Sequence, residues 1–445
     1  MAVLSIIADD LTGACDTGAG FARAGLRVLV ALAVDMLHGR DAALVDGDVI
    51  VYNTESRYLP VAQATNAVIR AAHNITDRLK PRPPESPIST LQSQVSNRIK
   101  PRPPIGDAWV YKKIDSTLRG HPGEELAALM GALNVVCALV APAFPAQGRA
   151  TIDAQVRVNG QPLAQTPFVA EAGSGDLRAV FGGQGYPVHA IGLADVRQGN
   201  ARLAQRLGEL RGIIIADAET DADLAGLATA AQSCGVRVLC GSAGLAFALS
   251  QLLYTGVPRT EIVQPCGPVL VIAGSRNPVT LRQIEVALEY GVCVIPVPTE
   301  PACDETTEAE RAGRIGRAEA SPAPTDAAHW AAETISAGRA VIVTTAGSPE
   351  SPLGKDVIAD RLGAVAAAVL ARVTPGAVVL TGGDVATAVC TALGAQSLEL
   401  CGELQPGIAF GRLADGPYAG LQVITKAGGF GRAESLWEII GEIRE

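Results

Sequence analysis

Short runs of β-branched and aliphatic residues alternate along this chain with longer Ala- and Leu-rich segments. The runs read AVLSIIA, VLVAL, VIVYN, LVAPAF, VHAIGL, GIIIAD and VRVLCG, then PVLVIAG, VCVIPV, AVIVTTAG and AVVLTGG. Continuous apolar stretches of about four to eight residues bounded by turn signals are what strands covered on both faces require. Their alternation with helical segments predicts an α/β fold of mainly parallel sheets flanked by helices. The pattern breaks at Tyr254–Pro268, where Gly and Pro interrupt it before a new strand at Val269–Ala273. Two domains are therefore expected, an N-terminal one over 1–253 and a C-terminal one over 265–445.

Two excursions depart from the alternation. Residues 78–84 read RLKPRPP and residues 98–104 read RIKPRPP, a near-repeat around a Ser/Gln/Asn-rich stretch. These prolines can neither continue a helix nor donate to a central ladder, so a proline-stiffened surface insertion at about 78–104 is predicted. A PxxP-type docking peptide is the less favoured reading. The second excursion, Pro298–Asp326, is rich in Pro, Ala, Glu and Thr and is expected to loop out of the C-terminal half.

Composition narrows the function classes. At 445 residues and 48% hydrophobic content, the chain exceeds one ordinary core. Its 36 basic and 45 acidic residues give a net charge of -9, which argues against a general nucleic-acid or acidic-membrane binder. An anionic ligand must then be captured locally. The opening MAVLSIIADDLTG has no basic region before its apolar run, unlike a signal peptide, and no apolar stretch is long enough to span a bilayer, so a cytoplasmic protein is expected. Nine cysteines are scattered without a CxxC pair or a nearby His doublet. They read as reduced thiols, and no metal-ligand set is predicted. The surplus of Val, Leu and Ala is compatible with a homodimer.

In the N-terminal half, AVLSIIA ends in Asp9 and Asp10 before the helical segment Ala14–Ala24. Ligands usually bind at the carboxyl ends of strands in open α/β sheets. One aspartate suffices as a helix cap, worth about 1 kcal/mol. Strand side chains alternate, so one can cap while the other faces a cleft. A carboxylate there accepts hydrogen bonds from hydroxyls and suits a general base. Arg57 ends the next strand and could clamp a carboxylate bidentately, or be a lone surface arginine. The densest constellation is Lys112-Lys113-Ile114-Asp115-Ser116-Thr117-Leu118-Arg119-Gly120-His121, directly after a strand. It offers a mixed pocket to a ligand that is itself carboxylate plus hydroxyls, against the plainer reading of a solvated loop with a capping Asp115 or Ser116.

In the C-terminal half, glycine turns follow strands at Gly274-Ser275, Gly347-Ser348, Gly382-Gly383-Asp384 and Lys426–Gly431. Backbone N–H groups and the helix dipole at such turns bind phosphate without basic side chains. Gly241–Gly244 is a further turn of this type. No GxxxxGK(S/T) or strand-linked GxGxxG occurs, so neither a P-loop nor a dinucleotide fingerprint is present.

IIADDLTGACDTGAGFARAGL, KKIDSTLRGHPGEEL, VAPAFPAQGR, CGSAGLAFAL, VIAGS, LTGGDVATAV and ITKAGGFG resemble the four-carbon acid sugar kinases, in order and over nearly the whole chain. The resemblance implies an acid-sugar-binding N-terminal domain and a nucleotide-binding C-terminal domain, with the active site in the interdomain cleft. It implies transfer from ATP, with Mg²⁺, to the C4 hydroxyl of a four-carbon acid, D-threonate first, with D-erythronate, L-threonate or a 3-oxo-tetronate as alternatives. Asp9, Asp10, Arg57, Lys113, Asp115, Ser116 and Arg119 would hold the acid, with Asp10 the base, and Arg119, Lys112 or Lys113 would stabilise charge on the transferred phosphoryl group. Ser275, Gly382, Gly383, Asp384, Val385 and Gly428 would contact ATP. Asp384 stands where Glu is frequent in the family, and His121 where Asn is frequent. Outside the family, the other class of reading is a non-catalytic sugar-acid sensor.

Overall fold

A computed structural model of the protein describes residues 4–34, 49–79, 108–253, 267–299, 324–346 and 354–444. Both KPRPP copies, the Tyr254–Cys266 stretch, most of the Pro298–Asp326 excursion and the Gly347-Ser348 turn lie outside those residues. The chain forms two compact units, Met1–Asp9 with Ala33–Thr255, and Asp10–Leu32 with Gly256–Glu445.

With strands numbered through the chain, the first unit holds β1 (Leu4–Ala8), β3 (Val49–Asn53), β4 (Trp109–Lys113), β5 (Cys137–Ala141), β9 (Val188–Ile191), β10 (Gly212–Ala216) and β11 (Val238–Gly241). They form a parallel array in the order β3-β1-β4-β11-β5-β10-β9. Each of β1, β3 and β4 is buried along its whole length, which explains the absence of polar alternation in LSIIA and VIVYN. Register sets Ala8 beside Asn53 and Lys113, and Lys113 beside Gly241. The loops that follow these four strands therefore start level with one another. A small antiparallel sheet, β6 (Arg149–Ile152), β7 (Gln155–Val158) and β8 (Gln161–Pro162), completes the unit.

The second unit holds β2 (Val28–Ala31), β12 (Val269–Ala273), β13 (Cys293–Pro296), β14 (Val341–Thr344), β15 (Ala377–Thr381), β16 (Ser397–Gln405), β17 (Ile408–Leu413) and β18 (Gln422–Lys426). Five strands are parallel in the order β13-β14-β12-β15-β18, and β17, β16 and β2 continue antiparallel. The core joins Val271, Ile342, Val379 and Ile424 to Leu436, Ile439 and Ile440 of the Ser435–Arg444 helix. Here too the strand ends are level: Ala273 pairs with Thr344 and Thr381, and Thr381 with Lys426.

The units differ from a contiguous division at 1–253 in one segment, residues 10–32. The Leu11–Arg23 helix, LTGACDTGAGFAR, is buried on nearly every side because Gly, Ala and Cys let it lie close to β16, β17, β18 and the Gly383–Ala392 helix. β2, which follows it, pairs antiparallel with β16. A helix apolar all round must be enclosed, and its partners belong to the C-terminal unit.

Candidate active site

In the N-terminal unit the level strand ends gather charge. Asp9 follows β1 and Arg57 follows β3; Arg57 Nε donates to Asp9 Oδ2 at 2.8 Å and Nη2 to Oδ1 at 3.0 Å. Both side chains are buried. Burial alone would raise the Asp9 carboxyl, but the Arg57 guanidinium, with Lys112 and Lys113 behind it, brings it below its ordinary value. The loop after β4 builds a second pair. Arg119 Nε and Nη2 donate to the two Asp115 oxygens at 3.1 and 2.9 Å, and Thr117 donates to Asp115 Oδ2 from its backbone N at 3.0 Å and from its hydroxyl. Burial opposes ionisation of Asp115 as well, yet Arg119, Arg57 and Thr117 hold it well below the usual carboxylate range.

Gly120 closes the loop at φ +89°, in the left-handed region that favours glycine, and its Cβ position is 3.5 Å from the Arg57 backbone and from Asp9 Oδ2. His121 Nε2 lies 2.7 Å from Leu59 O. A concavity of about 590 Å³ opens over these groups, lined by Arg57, Tyr58, Arg119, Gly120, His121 and Glu171. Lys113 is buried at the end of β4, and Ser116 is half-buried at the start of the loop. Asp9, Arg57, Lys113, Asp115, Ser116 and Arg119 therefore share the strand-end loops of one unit. Lys112 points the other way: its Nζ is 2.9 Å from Glu125 Oε2, and neither side chain reaches solvent. Burial would lower its ammonium, but Glu125 and Asp9 raise it above the ordinary lysine value, so Lys112 is an interior ion-pair member.

Asp10 stands apart from this group. It begins the C-terminal unit and caps the Leu11–Arg23 helix: Oδ1 accepts from Gly13 N at 3.0 Å and Oδ2 from the Thr12 hydroxyl at 2.7 Å. Its Oδ2 is 3.1 Å from where a Cβ on Gly383 would stand. Gly382 has φ +102° and caps the Gly383–Ala392 helix without a side chain, and its N donates to Lys426 O at 3.0 Å. The first turn of that helix thus presents the N–H groups of Gly383, Asp384 and Val385. The Val385 side chain is buried, and a Cβ on Gly274 would come within 2.6 Å of its Cγ2. Asp384 Oδ2 faces Lys355 Nζ at 3.5 Å. A Cβ on Gly428 would overlap Ser275 Oγ, while one on Gly382 would stand 3.8 Å from Ser275 Cβ. Ser275, Gly382, Gly383, Asp384, Gly428 and Asp10 thus meet at the level ends of β12, β15 and β18.

Residues 4–249 match a family described as sugar-binding N-terminal domain, and residues 270–436 one described as nucleotide-binding C-terminal domain. The chain is 34% identical to D-threonate kinase of Salmonella typhimurium across 99% of its length and 98% of that protein's. The chain belongs to the four-carbon acid sugar kinase family. D-erythronate kinase of Heliobacterium modesticaldum is 29% identical over 98% of this chain and 95% of its own. A Haemophilus influenzae protein of family DUF1537 shares the fold at TM-score 0.67 and 20% identity, over 99% of this chain and 100% of that one.

As a member of this family the protein is a kinase, and the sensor reading is set aside. The residues brought together in each unit are those the family resemblance assigns to the acid and to the nucleotide, with Asp10 the exception in placement. Among the described residues no three or more His, Cys, Asp or Glu side chains are grouped to hold a metal, and no helix is long and apolar enough to cross a membrane. The Gly241–Gly244 turn lies in the N-terminal unit of the kinase, where Cβ atoms would press on the carbonyls of Ala141 and Ala143, so its glycines serve close packing. Reading the residues one at a time gave no role to Glu125 and Thr12, which partner Lys112 and Asp10, and left Thr117 as one hydroxyl of the 112–121 constellation. It also gave no role to Lys426, whose signal was a lysine at the end of the strand QVITK, directly before the glycine turn.

Proposed function

We propose that this kinase transfers the γ-phosphoryl group of ATP to the C4 hydroxyl of D-threonate, giving 4-phospho-D-threonate. The observation that carries the reading is the full-length likeness to the Salmonella typhimurium D-threonate kinase. The N-terminal loops supply matching chemistry, since paired guanidiniums and carboxylates beside one concavity accommodate a ligand with one carboxylate and several hydroxyls. D-erythronate is the second reading, favoured by the Heliobacterium modesticaldum relative.

The nucleotide phosphates rest on the N–H groups at Gly383–Val385 and on the Gly428 turn, with Ser275 between them. A divalent cation, Mg²⁺, fits this site only with ATP oxygens and water as its main ligands, because Asp384 and Asp10 are the carboxylates beside the turn and no group of three or more ligating side chains supports it among the described residues. It would neutralise charge on the phosphates. Asp10, held by its own helix against Gly383, takes the proton of the attacking hydroxyl. Arg119, a third of whose side chain stays exposed, is the cation assigned to neutralise charge on the transferred phosphoryl group. Transfer demands reacting atoms about 3–3.5 Å apart, so catalysis is mainly positioning and charge neutralisation.

Coupled ADP release, measured over D- and L-threonate, D- and L-erythronate and their 3-oxo counterparts, tests the assignment. D-Threonate should give the highest kcat/KM. Greater turnover of an erythronate would move the assignment to that epimer, and inactivity across the whole panel would remove the substrate class.

A further inference from the structure

Three buried side chains grip the Ala427–Gly431 turn from its interior side. Lys426 Nζ donates to Ala427 O and to Phe430 O, each at 3.0 Å. Thr280 Oγ1 donates to Gly428 O at 2.7 Å, and Gln283 Nε2 donates to Phe430 O at 3.0 Å and Arg432 O at 2.7 Å. All three residues are completely buried. Thr280 and Gln283 project from the Pro278–Glu289 helix and Lys426 ends β18, so two separate elements converge on one short turn.

The consequence follows from peptide planarity. In a trans peptide the carbonyl of one residue and the N–H of the next point to opposite sides, and the described chain contains no cis peptide. Drawing the carbonyls of Ala427, Gly428 and Phe430 inward turns the N–H groups of Gly428, Gly429 and Gly431 outward. Neighbouring N–H groups on one side of a turn form an anion-binding concavity. The turn also abuts Ser275 and Asn277, since Cβ atoms on Gly428 and Gly429 would press against them.

We propose that Lys426, Thr280 and Gln283 are positioning residues that hold Ala427–Gly431 as a backbone nest for a nucleotide phosphate, with the Lys426 ammonium supplying positive charge beneath it. The inference rests on the nucleotide role of this unit and assigns a task to residues outside the ATP contacts that the family resemblance implies. The groups around Lys426 are neutral: the carbonyls of Ala427 and Phe430, the Gln283 amide, and its register partners Thr381 on β15 and Ile408 on β17. The adjacent Arg432 guanidinium is turned to Glu438 at 2.7 Å. Burial lowers the ammonium to about 7, with no carboxylate to compensate it. A buried cation of this kind disfavours folding unless an anion arrives, and a phosphate in the nest is such an anion.

ADP binding to the full-length protein, measured by calorimetry from pH 6 to 8.5, tests this with Lys426→Met, Lys426→Arg and Thr280→Val. Lys426→Met should weaken ADP about tenfold at pH 6.5 and Thr280→Val by about threefold, losses of a charge-assisted and a neutral hydrogen bond. Wild-type affinity should fall between pH 6.5 and 8 more steeply than that of Lys426→Met, and Lys426→Arg should retain tighter binding than the methionine variant. In turnover, the change should fall on the KM for ATP, with the KM for the acid unaltered. Wild-type affinity and pH dependence in both Lys426→Met and Thr280→Val would overturn the proposal while leaving the kinase reading intact. If Lys426→Met fails to fold, unaltered ADP affinity in Thr280→Val and Gln283→Leu is the overturning result. Failure of the wild-type protein to bind ADP would instead remove the nucleotide reading itself.

Discussion

Asp9 and Arg57, 48 residues apart in sequence, form a two-point ion pair at the ends of adjacent parallel strands, with both side chains buried. The pair is fixed by register, because β1 and β3 end level at Ala8 and Asn53. Arg57 N also donates to Asp9 O at 3.2 Å, so main chain and side chain lock the same two residues together. The guanidinium edge formed by Nε and Nη2 is thereby committed to the protein.

Arg57→Ala should therefore destabilise the protein, because it leaves the Asp9 carboxylate buried without its principal partner. Removing one member of a buried pair costs about 3–5 kcal/mol. Arg57→Lys should lose less than the alanine variant while still losing the bidentate geometry. Urea unfolding of the three proteins checks the order, and equal stabilities of Arg57→Ala and wild type would contradict it.

Lys112 and Glu125 give a sharper test of the distinction between an interior pair and a catalytic cation. Lys112→Met alone should destabilise by about 3–5 kcal/mol, since Glu125 is left buried without its partner. Lys112→Met with Glu125→Leu should recover most of that loss, as paired replacement by apolar residues of similar volume often does. The double variant should also keep its turnover number. Loss of turnover in a double variant of wild-type stability would mean that Lys112 acts on the reacting groups after all.

Much of this architecture is legible in the chain because parallel strands buried on both faces leave an unmistakable trace: uninterrupted apolar runs closed by glycine or acid. β12 appears that way, as do β1 and β15 apart from Ser5 and the terminal Thr381. The polar loop 112–121 and the Gly382–Val385 turn were conspicuous for the same reason, as polarity concentrated at strand ends. What stayed hidden are choices made by distant packing. Alternation says that Lys112 and Lys113 point to opposite sides, but only the placement of Glu125 says which side is interior. Adjacent Asp9 and Asp10 part company because the Leu11–Arg23 helix finds its apolar partners in strands nearly four hundred residues later. Lys426 reads as an ordinary polar strand end until Phe430 and Gln283 fold over it.

Acid titration should expose the Asp115 pair. An unfolded aspartate titrates near about 3.9, and the folded carboxyl titrates well below that. The pair's contribution is therefore fully present above pH of about 4 and is lost as pH falls through the folded value. The stability gap between wild type and Asp115→Asn should be constant from neutral pH to about pH 5 and should narrow below about pH 4. Guanidinium unfolding at a series of pH values measures it, and a gap that stayed constant down to pH values of about 2.5 would show that ionisation of Asp115 contributes nothing.

Asp10 carries two roles that one substitution can separate. Its Oδ1 caps the helix through Gly13 N, while Oδ2 accepts from Thr12 and faces Gly383. Asparagine caps as well as aspartate does, so Asp10→Asn should keep the unfolding midpoint, whereas Asp10→Ala should lose about 1 kcal/mol. Asparagine cannot take a proton, however. If Asp10 receives the proton of the attacking hydroxyl, Asp10→Asn should lower kcat by about 10²–10⁴, the range for a positioned general base, with ADP affinity little altered. Kinetics beside denaturation on the same preparations distinguishes the roles. Wild-type kcat in Asp10→Asn would leave this carboxylate as a helix cap alone and would require the acid's hydroxyl to lose its proton elsewhere, to solvent or to the transferring phosphoryl group itself.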